Sequence, residues 1–246
     1  MGKEPVLPCL AVRAGDIHPR VITCGDPARA EKIASMLENS VCLVKNREYW
    51  TYNGRYKGVP VTVTSHGVGA GGAAIVFESM HRAGAKVIIR VGTCGGMQEG
   101  IDAGSIIIAT AACREEGVTD KMVPLSYPAI ADAEVVNALT SSAKELGVET
   151  HKGIILTQAL FYASLLESKV KLYAKAGVKA MENEAASLLV VSSLHGVKAG
   201  TILAADAKAF ELVGVEDYKP DVNLVHQAVE DEIKVALEAI IQVEID

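Results

Sequence analysis

The chain has 246 residues, half of them hydrophobic, with 22 % charged residues and a formal net charge of -6. That is enough apolar material for one large core, and no Pro/Gly/Ser linker, charge block or low-complexity tract divides it, so a single domain over residues 1–246 is expected. Mild acidity leaves no electrostatic footprint for nucleic acid or an anionic membrane, and an anionic substrate would need a local cluster of arginines.

Six short β-branched runs alternate with helix-period stretches. RVITCG (20–25) leads into DPARAEKIASMLE (26–38), a helix with Asp26 as N-cap and Pro27 at its first position. VPVTVTS (59–65) runs into His66 and a glycine-rich turn, followed by the helix GGAAIVFESMHRAG (71–84). The strands KVIIRVG (86–92) and SIIIAT (105–110) precede the helix DAEVVNALTSSAKELG (132–147). GIILTQ (153–158) is a strand, NEAASLLVVSSLHG (183–196) a helix and AGTILAA (199–205) a strand. LVHQAVEDEIKVALEAIIQVEI (224–245) closes the chain with apolar residues at helical spacing. Three of these helices end at glycine, a frequent helix stop. Fully apolar strands alternating with helices argue an α/β fold around a buried mixed sheet.

Ligands of such folds sit beyond the carboxyl ends of the strands. Those ends carry Asp26 and Arg29, then His66, then Arg90 and Thr93, and last Asp206. GVGAGG matches G-x-G-x-x-G at Gly67, Gly69 and Gly72. The next strand carries Arg90 instead of the acidic residue that holds a ribose hydroxyl, which leaves a 2′-phosphate open but suits the arginine set less well. The plainer reading is tight turns and close helix–strand contact. GDPAR says more: Gly25 lets backbone amides approach an anion, the new helix offers its positive end, and Arg29 lies one turn in. Arg90 stands in an otherwise apolar strand, where an unpaired charge is expensive, so it needs a carboxylate or a phosphate. In KAMENEAASLLV (179–190), Glu182 and Glu184 bracket Asn183 at the mouth of a buried-looking helix. Carboxylates favoured by the helix dipole are one reading, and a polyhydroxylated ligand is the other.

GDPARAEKI, NREYW, SHGVG, RVGTCGG, LFY, MENEAAS and AAD stand in the order and spacing of one family. Over nearly its whole length the chain resembles the nucleoside phosphorylases of the hexameric purine nucleoside phosphorylase/uridine phosphorylase class. The resemblance implies a mixed sheet, partly closed into a barrel and flanked by helices in three α/β/α layers. It implies that Gly25, Arg29, Arg90 and Thr93 hold phosphate, joined by Arg47 from a neighbouring subunit. It assigns the ribose to Glu184, with Glu182 and Asn183 beside it, and the base to Phe161, Met181 and Asp206. Asp206 is then the catalytic acid at purine N7, a role that burial would assist by raising its pKa. Uridine phosphorylases carry Gln-x-Arg after the matching aromatic and lack the aspartate. Leu165 and Glu167 stand in those places here, which favours phosphorolysis of purine nucleosides to free base and (deoxy)ribose 1-phosphate. The alternatives are a uridine phosphorylase or a catalytically weak nucleoside-binding member of the fold.

Three positions depart from the pattern. Cys9 falls where many members place a histidine reaching a neighbour's ribose, with His18 out of register. Asn183 replaces a methionine under the sugar, and Ala159 an aspartate. No metal or organic cofactor is implied; phosphate is the co-substrate. The implied partners are nucleoside, phosphate and further copies of the chain, in a hexamer of three dimers, and the polar stretch 206–221 is expected to form a mobile flap. The cysteines Cys9, Cys24, Cys42, Cys94 and Cys113 show neither disulfide-framework nor zinc spacing. MGKEPVLPCLAV has no signal-peptide core and no hydroxyl at the sixth position for myristoylation, and no window is membrane-length, so a cytoplasmic setting is expected.

Overall fold

The computed structural model describes residues 5–162, 165–209, 218 and 220–245. In chain order its elements are β1 (Arg20–Cys24), α1 (Pro27–Ser35), β2 (Glu38–Asn46), β3 (Tyr49–Tyr56), β4 (Val59–Ser65), α2 (Ala70–Ala83) and β5 (Val87–Gly96). There follow β6 (Ile106–Glu115), β7 (Ala129–Ile130), α3 (Ala133–Glu145), β8 (His151–Gln158), α4 (Val170–Lys175) and β9 (Ala180–Glu182). The last three are α5 (Ala185–Leu194), β10 (Lys198–Lys208) and α6 (Val222–Gln242). Asp26 caps α1 by accepting from the Ala28 amide, with Pro27 at the first position as its sequence predicts.

All strands join one mixed sheet, so the expected α/β class holds. Part of the sheet closes on itself. β5 pairs with β10, β10 with β6, β6 with β8, β8 with β9, and β9 returns to β5. The result is a five-stranded barrel, bent where register shifts interrupt β10 near Ala205 and β6 near Ala109. Small residues permit the closure: a Cβ on Gly95 would lie 2.9 Å from the Ala209 Cβ. Outside the barrel, β5 continues in parallel to β1 and β4, and then antiparallel to β3 and β2.

Helices flank the sheet, α2 against α5 and α3 against α6, with α6 running across β10, β5 and β1. Enclosed strands need apolar residues on both faces, and Val21, Ile22, Val87, Ile88, Ile89, Ile107, Ile108, Ile202 and Leu203 are all buried. α5 is apolar all round and buries Ala185 through Ser192. No helix among the described residues is long and apolar enough to cross a membrane.

Some elements differ from the sequence reading. α1 stops at Ser35 and the chain enters β2 at Glu38. β2 shows no inward alternation because it is the sheet edge and exposed along most of its length. The start of the expected 183–196 helix lies behind the three-residue β9, and α5 begins at Ala185. α6 begins at Val222, capped by Asp221, two residues before the apolar spacing. The flap expected over 206–221 lies largely outside the described residues.

Candidate active site

The parallel strands bring their carboxyl ends together. Thr23 of β1 and Thr201 of β10 both pair with Arg90 of β5, and Ala204 pairs with Thr93. The turns after β1 and β4 touch, since a Cβ on Gly25 would lie 3.1 Å from the Gly67 carbonyl oxygen. Glycine at 25 is what allows that approach. Arg29, Thr93 and Asp206 then line one cavity of about 480 Å³, together with Asp26, Lys32 and Tyr218. Arg29 Nη1 lies 3.5 Å from Glu232 Oε1.

Arg90 lies deeper and is 3 % exposed. Its Nη2 donates to Glu184 Oε2 and stands 3.3 Å from Glu182 Oε2. Burial works against its charge, but the two carboxylates outweigh that and raise its pKa. Its Nε and Nη1 are buried with no hydrogen-bond partner among the described residues. Buried donors without a partner are costly, and a bound oxyanion would satisfy them.

The two glutamates differ in role. Glu182 Oε2 accepts from the backbone amides of Glu184 (2.8 Å) and Ala185 (2.9 Å), and its Oε1 accepts from Thr157 Oγ1 (2.5 Å). It therefore caps α5. Glu184 accepts from the Gly69 amide at 2.6 Å and from Arg90. Burial pushes the Glu184 carboxyl up, but Arg90, His66 and the Gly69 amide together hold it below its ordinary value. Glu182 is raised, chiefly by burial. His66 is enclosed and its pKa falls to about 4, mainly by burial and then by Arg90, so its ring is neutral near pH 7. Its Nε2 has no partner among the described residues.

Phe161 and Met181 line a second cavity, of about 620 Å³, with Gln158, Tyr173 and Ala209. Phe161 is 61 % exposed beside that opening, and its ring meets Tyr162 in a T-shaped contact at 5.1 Å. Tyr218 links the two cavities: its hydroxyl donates to Asp206 Oδ2 at 2.9 Å and its ring meets Phe161 edge-on at 6.2 Å. Asp206 is raised above its ordinary pKa by burial, a shift that the Tyr218 hydroxyl partly opposes. The Asn183 amide donates to the Gln158 carbonyl at 2.6 Å, which ties the stretch before α5 to the end of β8.

Arg47 and Cys9 line neither cavity. Arg47 is exposed in the turn between β2 and β3, at φ 51°, a strained conformation for arginine. Cys9, at φ 65°, lies beside that hairpin, its carbonyl accepting from Asn46 Nδ2 at 2.5 Å.

Glu232, Tyr218 and Thr157 are absent from the sequence-based site. Glu232 carried a signal: it falls at helical spacing from Ala228, Val229, Val235 and Ala236, on the apolar face of α6. An acid on that face is buried, and a buried acid needs a cation.

The Phosphorylase superfamily profile matches residues 19–242. Purine nucleoside phosphorylase of Plasmodium falciparum (isolate 3D7) is 38 % identical over 232 residues, covering 94 % of each chain. Uridine phosphorylase of Thermococcus kodakarensis is 39 % identical over 207 residues, 79 % of this chain and 75 % of its own. The crystal structure of Toxoplasma gondii purine nucleoside phosphorylase in complex with immucillin-H superposes with a TM-score of 0.92 at 35 % identity, covering 98 % of this chain and 97 % of that one.

Proposed function

From the premise that the chain belongs to the Phosphorylase superfamily, we propose that this nucleoside phosphorylase acts on purine nucleosides, with inorganic phosphate as co-substrate and no metal or organic cofactor. One observation carries the purine reading: a half-buried carboxyl of raised pKa, Asp206, shares a cavity with Arg29 and Thr93. Leu165 and Glu167, in place of a uracil-binding Gln-x-Arg, support it.

Phosphate is held by Gly25, Arg29, Arg90 and Thr93, where guanidinium groups and backbone amides share its charge. Arg90 Nε and Nη1 supply buried donors. The ribose diol donates to Glu184, whose oxygens keep lone pairs beyond those taken by Gly69 and Arg90. Phe161 and Met181 pack against the base. As the glycosidic C–N bond breaks, its electron pair moves onto the purine, and Asp206 delivers a proton to N7. A phosphate oxygen then bonds to the anomeric carbon, giving free purine and (deoxy)ribose 1-phosphate. Arg47 and Cys9, outside the cavities of their own chain, serve a neighbouring copy in a hexamer of three dimers.

The test is inosine, guanosine, adenosine and uridine, each with and without phosphate, following free base. Phosphate-dependent release from purine nucleosides is the expected result, and Asp206→Asn lowers it about 100- to 10,000-fold. Preference for uridine overturns the Asp206 role and favours the reading set by the 39 % identical uridine phosphorylase. Tight nucleoside binding without turnover marks a binding protein instead.

A further inference from the structure

Glu232 is wholly enclosed on α6, behind the arginine end of the first cavity. Its Oε1 faces Arg29 Nη1 at 3.5 Å, and its Oε2 has no hydrogen-bond partner among the described residues. We propose that Glu232 is a positioning residue coupled by its proton to anion binding: in alkaline solution it stands as a carboxylate against Arg29 in the empty site, and it takes up a proton when a tetrahedral dianion claims that guanidinium. The inference rests on the reading of Arg29 as a phosphate ligand.

The physical argument is competition for one cation. A dianion and a carboxylate on either side of Arg29 repel each other, and low-dielectric surroundings strengthen the repulsion. Neutralising Glu232 removes it. The groups around Glu232 are Arg29 from α1, Arg90 and Cys94 from β5 and Cys24 from β1, while Asp206 of β10 shares the cavity with Arg29. α3 turns Val135, Val136, Leu139 and Ala143 inward. On α6 itself Glu230 is paired with Lys32 and Asp231 with Lys234, while His226 lines the first cavity with Lys32. Burial pushes Glu232 up to about 8, against the pull of both arginines and of the Gly92 and Ala204 backbone amides. The same burial pushes Cys24 up to about 12 and Cys94 well above the ordinary thiol range, so neither titrates alongside Glu232. Anion binding raises the Glu232 pKa further. Protons are therefore taken up on binding, and affinity falls as pH rises through about 8, by up to tenfold per unit.

Sulfate is the probe, because it is a tetrahedral dianion that does not itself titrate near pH 8. Calorimetry at about pH 8.5 in two buffers of different ionisation enthalpy counts the protons exchanged, with Asp206→Asn run in parallel to remove that carboxyl from the count. Wild type is expected to take up as much as about three-quarters of a proton per site, the fraction of Glu232 ionised at that pH before binding. Glu232→Gln should abolish the uptake and flatten the pH dependence of the sulfate dissociation constant, whereas Glu232→Asp keeps both. In the same glutamine variant the phosphate KM at pH 8.5 should fall several-fold, with the nucleoside KM unmoved. Sulfate binding to wild type without proton uptake overturns the inference, and that measurement needs no variant to fold. Uptake undiminished in Glu232→Gln also overturns it. If neither sulfate nor phosphate binds and no phosphorolysis occurs, the proposed function falls with it. Phosphorolysis with proton-free binding removes only the role of Glu232.

Discussion

Replacing Arg90 by methionine removes the cation that two buried carboxylates share. The 3.3 Å contact to Glu182 alone carries about 5 kcal/mol of Coulomb attraction at an effective dielectric near 20, before the cost of desolvation is subtracted. Deleting one partner of a buried pair has a net cost of about 3–5 kcal/mol, because the other charge stays behind unpaired. Glu182 retains three donors, Thr157 and the amides of Glu184 and Ala185. Glu184 retains only the Gly69 amide among its described hydrogen bonds, so it bears most of the loss. In wild type Glu184 lies below its ordinary pKa, so its stabilisation is present above the unfolded value and lost as pH falls through the folded one. Without Arg90, burial dominates and its pKa rises above the unfolded value. The penalty is then full at neutral pH and relieved as pH falls through that raised value. Urea unfolding of wild type and Arg90→Met should differ by about 3–5 kcal/mol at pH 7 and by clearly less at about pH 4.5. A difference below about 1 kcal/mol at pH 7, or one of equal size at both pH values, would refute the account of Arg90 as the shared counter-ion.

Three further outcomes follow from single contacts. Gly92→Ala puts a methyl 2.7 Å from Arg90 Nη1 and 2.9 Å from its Cζ, so the guanidinium must swing away. Steady-state kinetics should show the phosphate KM raised about tenfold with the nucleoside KM little changed; equal changes in both would count against it. Glu182→Ala strips the cap from α5 and should lower stability by about 1–2 kcal/mol, read as a drop in Tm of about 2–8 °C. An unaltered Tm would show that the cap contributes nothing. Tyr218→Phe removes the hydroxyl that lowers the Asp206 pKa. The acid form of Asp206 then persists to higher pH, and the alkaline limb of the kcat profile for inosine should move upward. A limb that stays in place contradicts the coupling of Tyr218 to Asp206.

Much of the fold is visible in local sequence. Asp26 and Pro27 announce α1, Gly84 ends α2, and six apolar runs are all strands. These features depend on residues next to one another, through capping, φ preference and periodicity. β2 escapes the same method because a sheet edge needs no buried face, and β9 because three residues carry no period. Closure of the barrel depends on β9 meeting β5 across some 85 positions, which no local pattern records.

The site divides along the same line. Sequence alone determined that Arg90, stranded in an apolar run, requires an anion, and that Glu182, Asn183 and Glu184 stand at a helix start. Only the tertiary structure decided that both glutamates reach Arg90, and that one caps α5 while the other turns to Gly69 and His66. It also decided that Glu232, 203 positions from Arg29, is the enclosed carboxyl that faces it. A residue's type states which charge it can carry. Its partner, its dielectric surroundings and hence its pKa are set by segments distant in the chain, and these meet only when the sheet is assembled.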